Sequence, residues 1–147
     1  MSLVISHRKR VQVNAVTNRA MRPGDAVFIR VKPCKADLSE AQDFWLWPGM
    51  KVLGCLRAPR KGIKHNCEYE VTAVTEDIVT LDDEIHLTHE ELAKLTRLAH
   101  ARTYASVQGL TFEKSCRLFD TDHPRFTKTH LFVAVSRCRE MAQLHVI

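Results

Sequence analysis

Hydrophobic positions in this chain follow two different periods, and the switch between them divides the sequence. Residues 3–6 (Leu-Val-Ile-Ser) predict a short buried strand, after which Val11 and Ala15, with Asn18 or Arg19, recur on one helical face until Arg22-Pro-Gly stops the pattern. Residues 26–31 predict a strand ended by Pro33, and 34–43 a polar loop with one helical turn at 38–42. Between positions 44 and 87 the signals become those of β-structure. Runs at 45–53, 68–74, 78–81 and 84–87 are separated by Gly, Pro, Asn and Asp turns, which suggests a small barrel. Thr88-His-Glu-Glu then reads as a capping box opening a helix over 90–98, with Leu92, Leu95 and Leu98 near helical spacing.

The last third returns to the first pattern. Residues 99–104 predict a strand, 115–120 a second one ending in the loop 121–124, and 143–147 a third. A helix over 131–138 places Leu131, Ala134, Val135 and Cys138 on one face to bury, with Arg137 projecting from another. Strands alternating with helices predict an α/β sheet. The junction at 103–111 (Thr-Tyr-Ala-Ser-Val-Gln-Gly-Leu-Thr) reads as strand, loop, then helix, where backbone N–H groups and a glycine let the chain approach a phosphate.

Charge and composition narrow the chemistry. The 147 residues suffice for one domain or a small two-lobed unit, and no apolar run is long enough to span a membrane. No signal peptide precedes the first strand, which points to a protein working inside a cell. Five cysteines without a Cys-x-x-Cys pair read as reduced thiols. The net charge of +5 suits a polyanionic partner. Its candidate contacts are the loop carrying Arg57, Arg60, Lys61 and Lys64, and Arg8 in the first helical turn, with Trp45 or Trp47 available for base stacking if exposed. His86 and His89 lack a third ligand at metal spacing, so no metal site is expected. No Gly-x-x-x-x-Gly-Lys-Ser/Thr loop occurs, so the chain carries no complete ATP site and should be inactive alone.

Two motifs, in order, carry a family resemblance. Thr103, Gln108, Gly109 and Thr111 match motif V of superfamily 1 DNA helicases of the RecD-like branch, and Val133, Ala134, Ser136 and Arg137 match motif VI. The family's His-Lys pair is Ala105-Ser106 here. The barrel region is similar to that branch's SH3-like insertion at residues 47–52 (Trp-Pro-Gly-Met-Lys-Val) and 66–68 (Asn-Cys-Glu), with Cys67 where the family has Gly. The resemblance covers most of the chain and is strongest over 102–147.

This resemblance implies a RecA-like parallel-sheet motor domain over 1–43 and 88–147, interrupted by an SH3-like β-barrel over 44–87. It implies that the chain begins in mid-protein, as the second, C-terminal motor domain of an ATP-dependent helicase. ATP and Mg²⁺ would be bound jointly with an upstream N-terminal RecA-like domain, and single-stranded DNA would be the track. Arg137 falls at the arginine-finger position, with Gln108, Gly109 and Arg139 beside the nucleotide and Thr103 and Thr111 toward DNA phosphates. Two competing classes are a non-catalytic basic nucleic-acid-binding module and a degenerate motor remnant serving as an interaction scaffold.

Overall fold

The computed structural model describes residues 1–31 and 42–147, which form two compact units. Residues 38–41 of the helical turn expected at 38–42, and most of its loop, lie outside the described residues. One unit comprises residues 1–14 and 100–147, the other residues 15–99.

The first unit is built on a four-stranded parallel sheet. Its strands are β1 (Ser2–Val4), β9 (Ala101–Thr103), β10 (Cys116–Leu118) and β11 (Leu144–Val146), in the order β11-β10-β1-β9. β1 is buried on both faces, as its unbroken Ser-Leu-Val run requires in a parallel sheet. β9 lies at an edge, where the amide of Asn14 takes up the peptide of Ala101: Ala101 N–H donates to Oδ1 at 2.7 Å and Nδ2 donates to Ala101 C=O at 3.4 Å. Asn14 belongs to α1 (His7–Met21), whose first turn is closed by Lys9 N–H donating to Ser6 Oγ. Leu3, Tyr104, Val107, Phe112, Cys116, Leu118 and Ala134 fill the core.

The helix of this unit departs from expectation. α3 runs over Lys128–Val135 and stops before Arg137. Of the four residues expected on its buried face, only Ala134 is fully enclosed; Leu131 is 45% and its neighbour Phe132 70% exposed. Val133 and Cys138 flank Ala134 against the core, so the buried stripe is rotated from the predicted one. Beyond Val135 the bonds tighten, with Arg137 N–H donating to Ala134 C=O and Cys138 N–H to Val135 C=O, and the helix ends as a 3₁₀-type turn.

The second unit is antiparallel. A strand pair, β2 (Val27–Ile29) with β3 (Phe44–Leu46), accompanies a five-stranded sheet of order β7-β6-β5-β4-β8. Its strands are β4 (Lys51–Gly54), β5 (Glu68–Val74), β6 (Ile78–Leu81), β7 (Ile85–Thr88) and β8 (Thr96–Leu98). β5 alternates outward Glu68 and Glu70 with inward Tyr69 and Val71 until a bulge after Val71 breaks the register. The β6–β7 hairpin turns through Asp82 and Asp83, both at positive φ, with Glu84 N–H donating to Leu81 C=O. That is a type I′ turn, whose twist suits paired strands.

One expectation is corrected here. The helix foreseen over 90–98 is α2 (His89–Leu95), and its last three predicted residues are β8, paired to β4. Thr96 is extended and its hydroxyl donates to Leu92 C=O at 2.8 Å, which closes the helix and releases the chain into the sheet. At the family's Asn-Gly position, Asn66 takes the left-handed conformation (φ 63°), so Cys67 needs no positive φ.

Candidate functional site

The Gln-Gly dipeptide sits in a turn of defined type. Following β9, Tyr104–Val107 form one turn of 3₁₀ helix, and Ser106 Oγ donates back to Thr103 C=O at 2.9 Å. Gln108 has φ −59° and ψ 130°, Gly109 has φ 84°, and Leu110 N–H donates to Val107 C=O at 3.1 Å. These values define a type II turn with glycine at the position that demands positive φ. The expected helix after this turn does not form; the chain continues extended, and Phe112 bridges to Cys138 in parallel. Both Gln108 and Gly109 are exposed, and the space a Cβ would occupy on Gly109 is open.

Arg137 is brought onto this turn. Its C=O accepts Phe112 N–H at 2.7 Å, tying the two motifs together through the backbone. Its Nη1 donates to Leu110 C=O at 3.4 Å, while Nε and Nη2 each donate to Ser136 Oγ at 3.3 Å. Leu110 directly follows Gly109, so the half-buried guanidinium and the Gln-Gly turn share one surface. Among the described residues no carboxylate lies within ion-pair distance of Arg137. Arg139, two residues on, differs: its Nη2 meets Glu113 Oε1 at 2.6 Å, both ends exposed. A planar cation held by neutral acceptors keeps its charge uncompensated, which suits it to an incoming phosphate.

The other expected residues are dispersed. Thr111 is exposed beside the turn, whereas Thr103 is buried at the end of β9. Arg8 is exposed in the first turn of α1. In the antiparallel unit, Arg57, Arg60, Lys61 and Lys64 are exposed around a single 3₁₀ turn at Pro59–Lys61 that ends at left-handed Gly62. Lys61 is engaged by Glu91 at 2.7 Å. Lys64 N–H donates to Tyr69 Oη at 2.8 Å, which fixes its backbone and leaves the side chain outward. His86 and His89 are bound to Thr80 and to Thr75 C=O, and no group of three metal-ligating side chains occurs among the described residues. Burial, then the neighbouring Cys138, pushes the Cys116 thiol up to about 12, so it stays protonated at neutral pH.

Sequence reasoning missed what holds Arg137. Ser136 was visible in the motif, but a carbonyl acceptor at Leu110 carries no side-chain signal. The Glu113 partner of Arg139 lies 26 residues away and has no spacing that would announce it.

With two motifs meeting on one turn, the comparisons with known proteins settle the family. Residues 33–145 match the viral superfamily 1 RNA helicase core domain. The chain belongs to that family. No curated protein sequence matches this helicase domain. Among solved structures it is similar to a Bacteroides Pif1 helicase bound to single-stranded DNA (TM-score 0.70, 18% identity), covering 99% of this chain and 40% of that one. It is also similar to the Bacteroides enzyme in complex with ADP-AlF3 and single-stranded DNA (0.66, 19%; 99% and 39%). A third likeness is to Pif1 helicase from Candida albicans (0.60, 16%; 99% and 44%). At these identities the likeness is one of fold: the mixed α/β architecture with its parallel sheet matches a RecA-like helicase domain. The helicase domain spans about two fifths of the length of the structures it matches. Among the described residues, no helix is long and apolar enough to cross a membrane.

Proposed function

We propose that this domain is the C-terminal motor half of an intracellular, ATP-dependent superfamily 1 helicase, resembling the RecD-like branch in its motifs. In this reading residues 1–43 and 88–147 form the RecA-like part and 44–87 an SH3-like insertion. ATP and Mg²⁺ sit against an upstream RecA-like domain, whose phosphate loop holds the nucleotide. The observation that carries the proposal is the meeting of Arg137 with the Gln108–Gly109 turn, Nη1 donating to Leu110 C=O at 3.4 Å, with no carboxylate neutralising the guanidinium among the described residues.

The residues divide the work as follows. Arg137 faces the γ-phosphoryl group as charge spreads over its oxygens, and a preoriented guanidinium stabilises that charge more than the ground state. Gly109 has open space where a side chain would stand, so backbone can approach the nucleotide, and Gln108 projects beside it. Arg139 reaches the nucleotide only by releasing Glu113, whose carboxylate it meets at 2.6 Å. Thr111 and Arg8 meet strand phosphates, with Thr103 fixing the end of β9 that aims the turn. Within the antiparallel unit, Arg57, Arg60, Lys61 and Lys64 supply a separate set of phosphate contacts. Cleft closure on ATP and reopening after hydrolysis would move the domain along a single strand.

The test is polynucleotide-stimulated ATP hydrolysis by the full-length parent with Arg137→Ala. Turnover is expected to fall by roughly 10³–10⁵, with ATP binding largely kept. Unchanged turnover removes Arg137 from catalysis. The family's description favours RNA as a second reading of the track, and stimulation by RNA but not DNA would decide for it.

A further inference from the structure

Phe28 is 43% exposed, and its strand register explains where its ring must stand. β2 and β3 pair antiparallel with Val27 opposite Leu46, Phe28 opposite Trp45, and Ile29 opposite Phe44. Ile29, Phe44 and Leu46 are in the core, so Phe28 and Trp45 project from the other face. The Trp45 N–H donates to Asn18 Oδ1 at 2.7 Å, and Asn18 Nδ2 donates to Trp45 C=O at 2.8 Å. With both backbone groups turned toward Asn18, Trp45 and Phe28 form a non-hydrogen-bonded pair, the arrangement that brings opposite side chains closest. Their ring centroids are 4.9 Å apart, and the guanidinium of Arg22 lies 4.4 Å from the Trp45 ring centroid.

Charge selects the occupant. Arg30 stands just past the end of β2, two residues from Phe28, and is exposed. Among the described residues of this stretch, Asp25 and Asp43 are the exposed acids, and Asp43 Oδ1 is occupied by Val31 N–H at 2.8 Å. An apolar peptide on this surface would have to strip water from Arg22 and Arg30. A nucleotide would not, because its base matches the rings and its phosphate the guanidinium groups.

We propose that Phe28, Trp45 and Arg22 form a base-stacking platform for single-stranded nucleic acid, with the flanking phosphate met by Arg22 or Arg30. The proposal rests on the nucleic-acid reading above and adds a site separate from the Arg57–Lys64 loop. A base lies against the exposed ring of Phe28. Trp45 supports that ring from the opposite strand and is itself held by Asn18 and Arg22.

The chain has two tryptophans, so Trp47→Phe leaves Trp45 as the sole indole reporter. In that background, an oligothymidylate is titrated against an abasic oligomer of equal length. Quenching of Trp45 emission by the first and not the second is expected. Phe28→Ala should weaken oligothymidylate binding roughly five- to hundred-fold, with affinity restored by Phe28→Tyr. Equal affinity for Phe28→Ala and its parent overturns the platform, as does the absence of any oligonucleotide binding. Concentration-dependent emission without oligonucleotide would instead mark the face as a contact between copies and equally overturn it. The two readings separate cleanly: a failed platform leaves the Arg137 dependence of turnover standing, and turnover indifferent to Arg137 leaves the quenching standing.

Discussion

Asn14 and Asn18, four positions apart on α1, each bind a strand peptide with both ends of the amide. Asn14 takes the N–H and C=O of Ala101, and Asn18 those of Trp45. Buried peptide groups left without partners cost more than the net value of the bonds that satisfy them. Asn14→Ala is therefore expected to lower stability by about 2–4 kcal/mol, read as a fall in the urea midpoint at constant slope. A change within about 0.5 kcal/mol would show that water satisfies Ala101 instead. Helical spacing put Asn18 or Arg19 on the inward face, yet neither asparagine's partner was legible, because Ala101 lies 87 residues from Asn14 and Trp45 27 from Asn18. At this scale residue types disclose capacity, and the fold supplies the partner.

Local chemistry was easier to read at the level of elements. The capping box at Thr88 is formed as its sequence predicts: Glu91 N–H donates to Thr88 Oγ1 at 3.2 Å and Thr88 N–H to Glu91 Oε2 at 3.1 Å. The hydrogen bond from Lys61, then that from the Thr88 backbone, holds the Glu91 carboxyl below its usual value of 4.5. A carboxyl depressed in the folded state stabilises above its unfolded pKa and loses that contribution as pH falls through the folded one. Thermal stability should therefore decline as the pH drops below 4.5, and Glu91→Gln, which keeps the capping bond but not the charge, should flatten that decline. An unaltered acid limb in Glu91→Gln would contradict this. Glycine packing gives a sharper contrast. A Cβ on Gly54 would stand 2.2 Å from the Lys64 carbonyl oxygen, whereas one on Gly24 meets nothing within 4 Å. Gly54→Ala should cost about 3 kcal/mol in urea denaturation and Gly24→Ala about 0.5 kcal/mol or less; equal effects would refute the difference in packing. What the periodicity missed were the ends of α2 and α3. Both are set by single events after the apolar spacing runs out, the Thr96 hydroxyl in one case and the Phe112 link to Arg137 in the other.

Across the whole chain, the change of hydrophobic period was the most readable feature, since it separates a parallel from an antiparallel sheet before any contact is known. The site was legible only as two motifs. That the Gln108–Gly109 turn and Arg137 meet depends on the Phe112–Cys138 bridge, a long-range backbone pairing with no side-chain signature. The central claim is that this meeting point serves the transition state of phosphoryl transfer. An arginine finger binds developing charge more strongly than substrate or product. The most direct measurement compares, in the full-length parent and its Arg137→Ala variant, the affinity for ADP alone with that for ADP plus aluminium fluoride, which stands in for the transferring phosphoryl group. The account predicts that the variant keeps ADP affinity within a few-fold while its preference for the aluminium fluoride complex falls by about 10³ or more. Parallel changes in both affinities, or none in either, would contradict it.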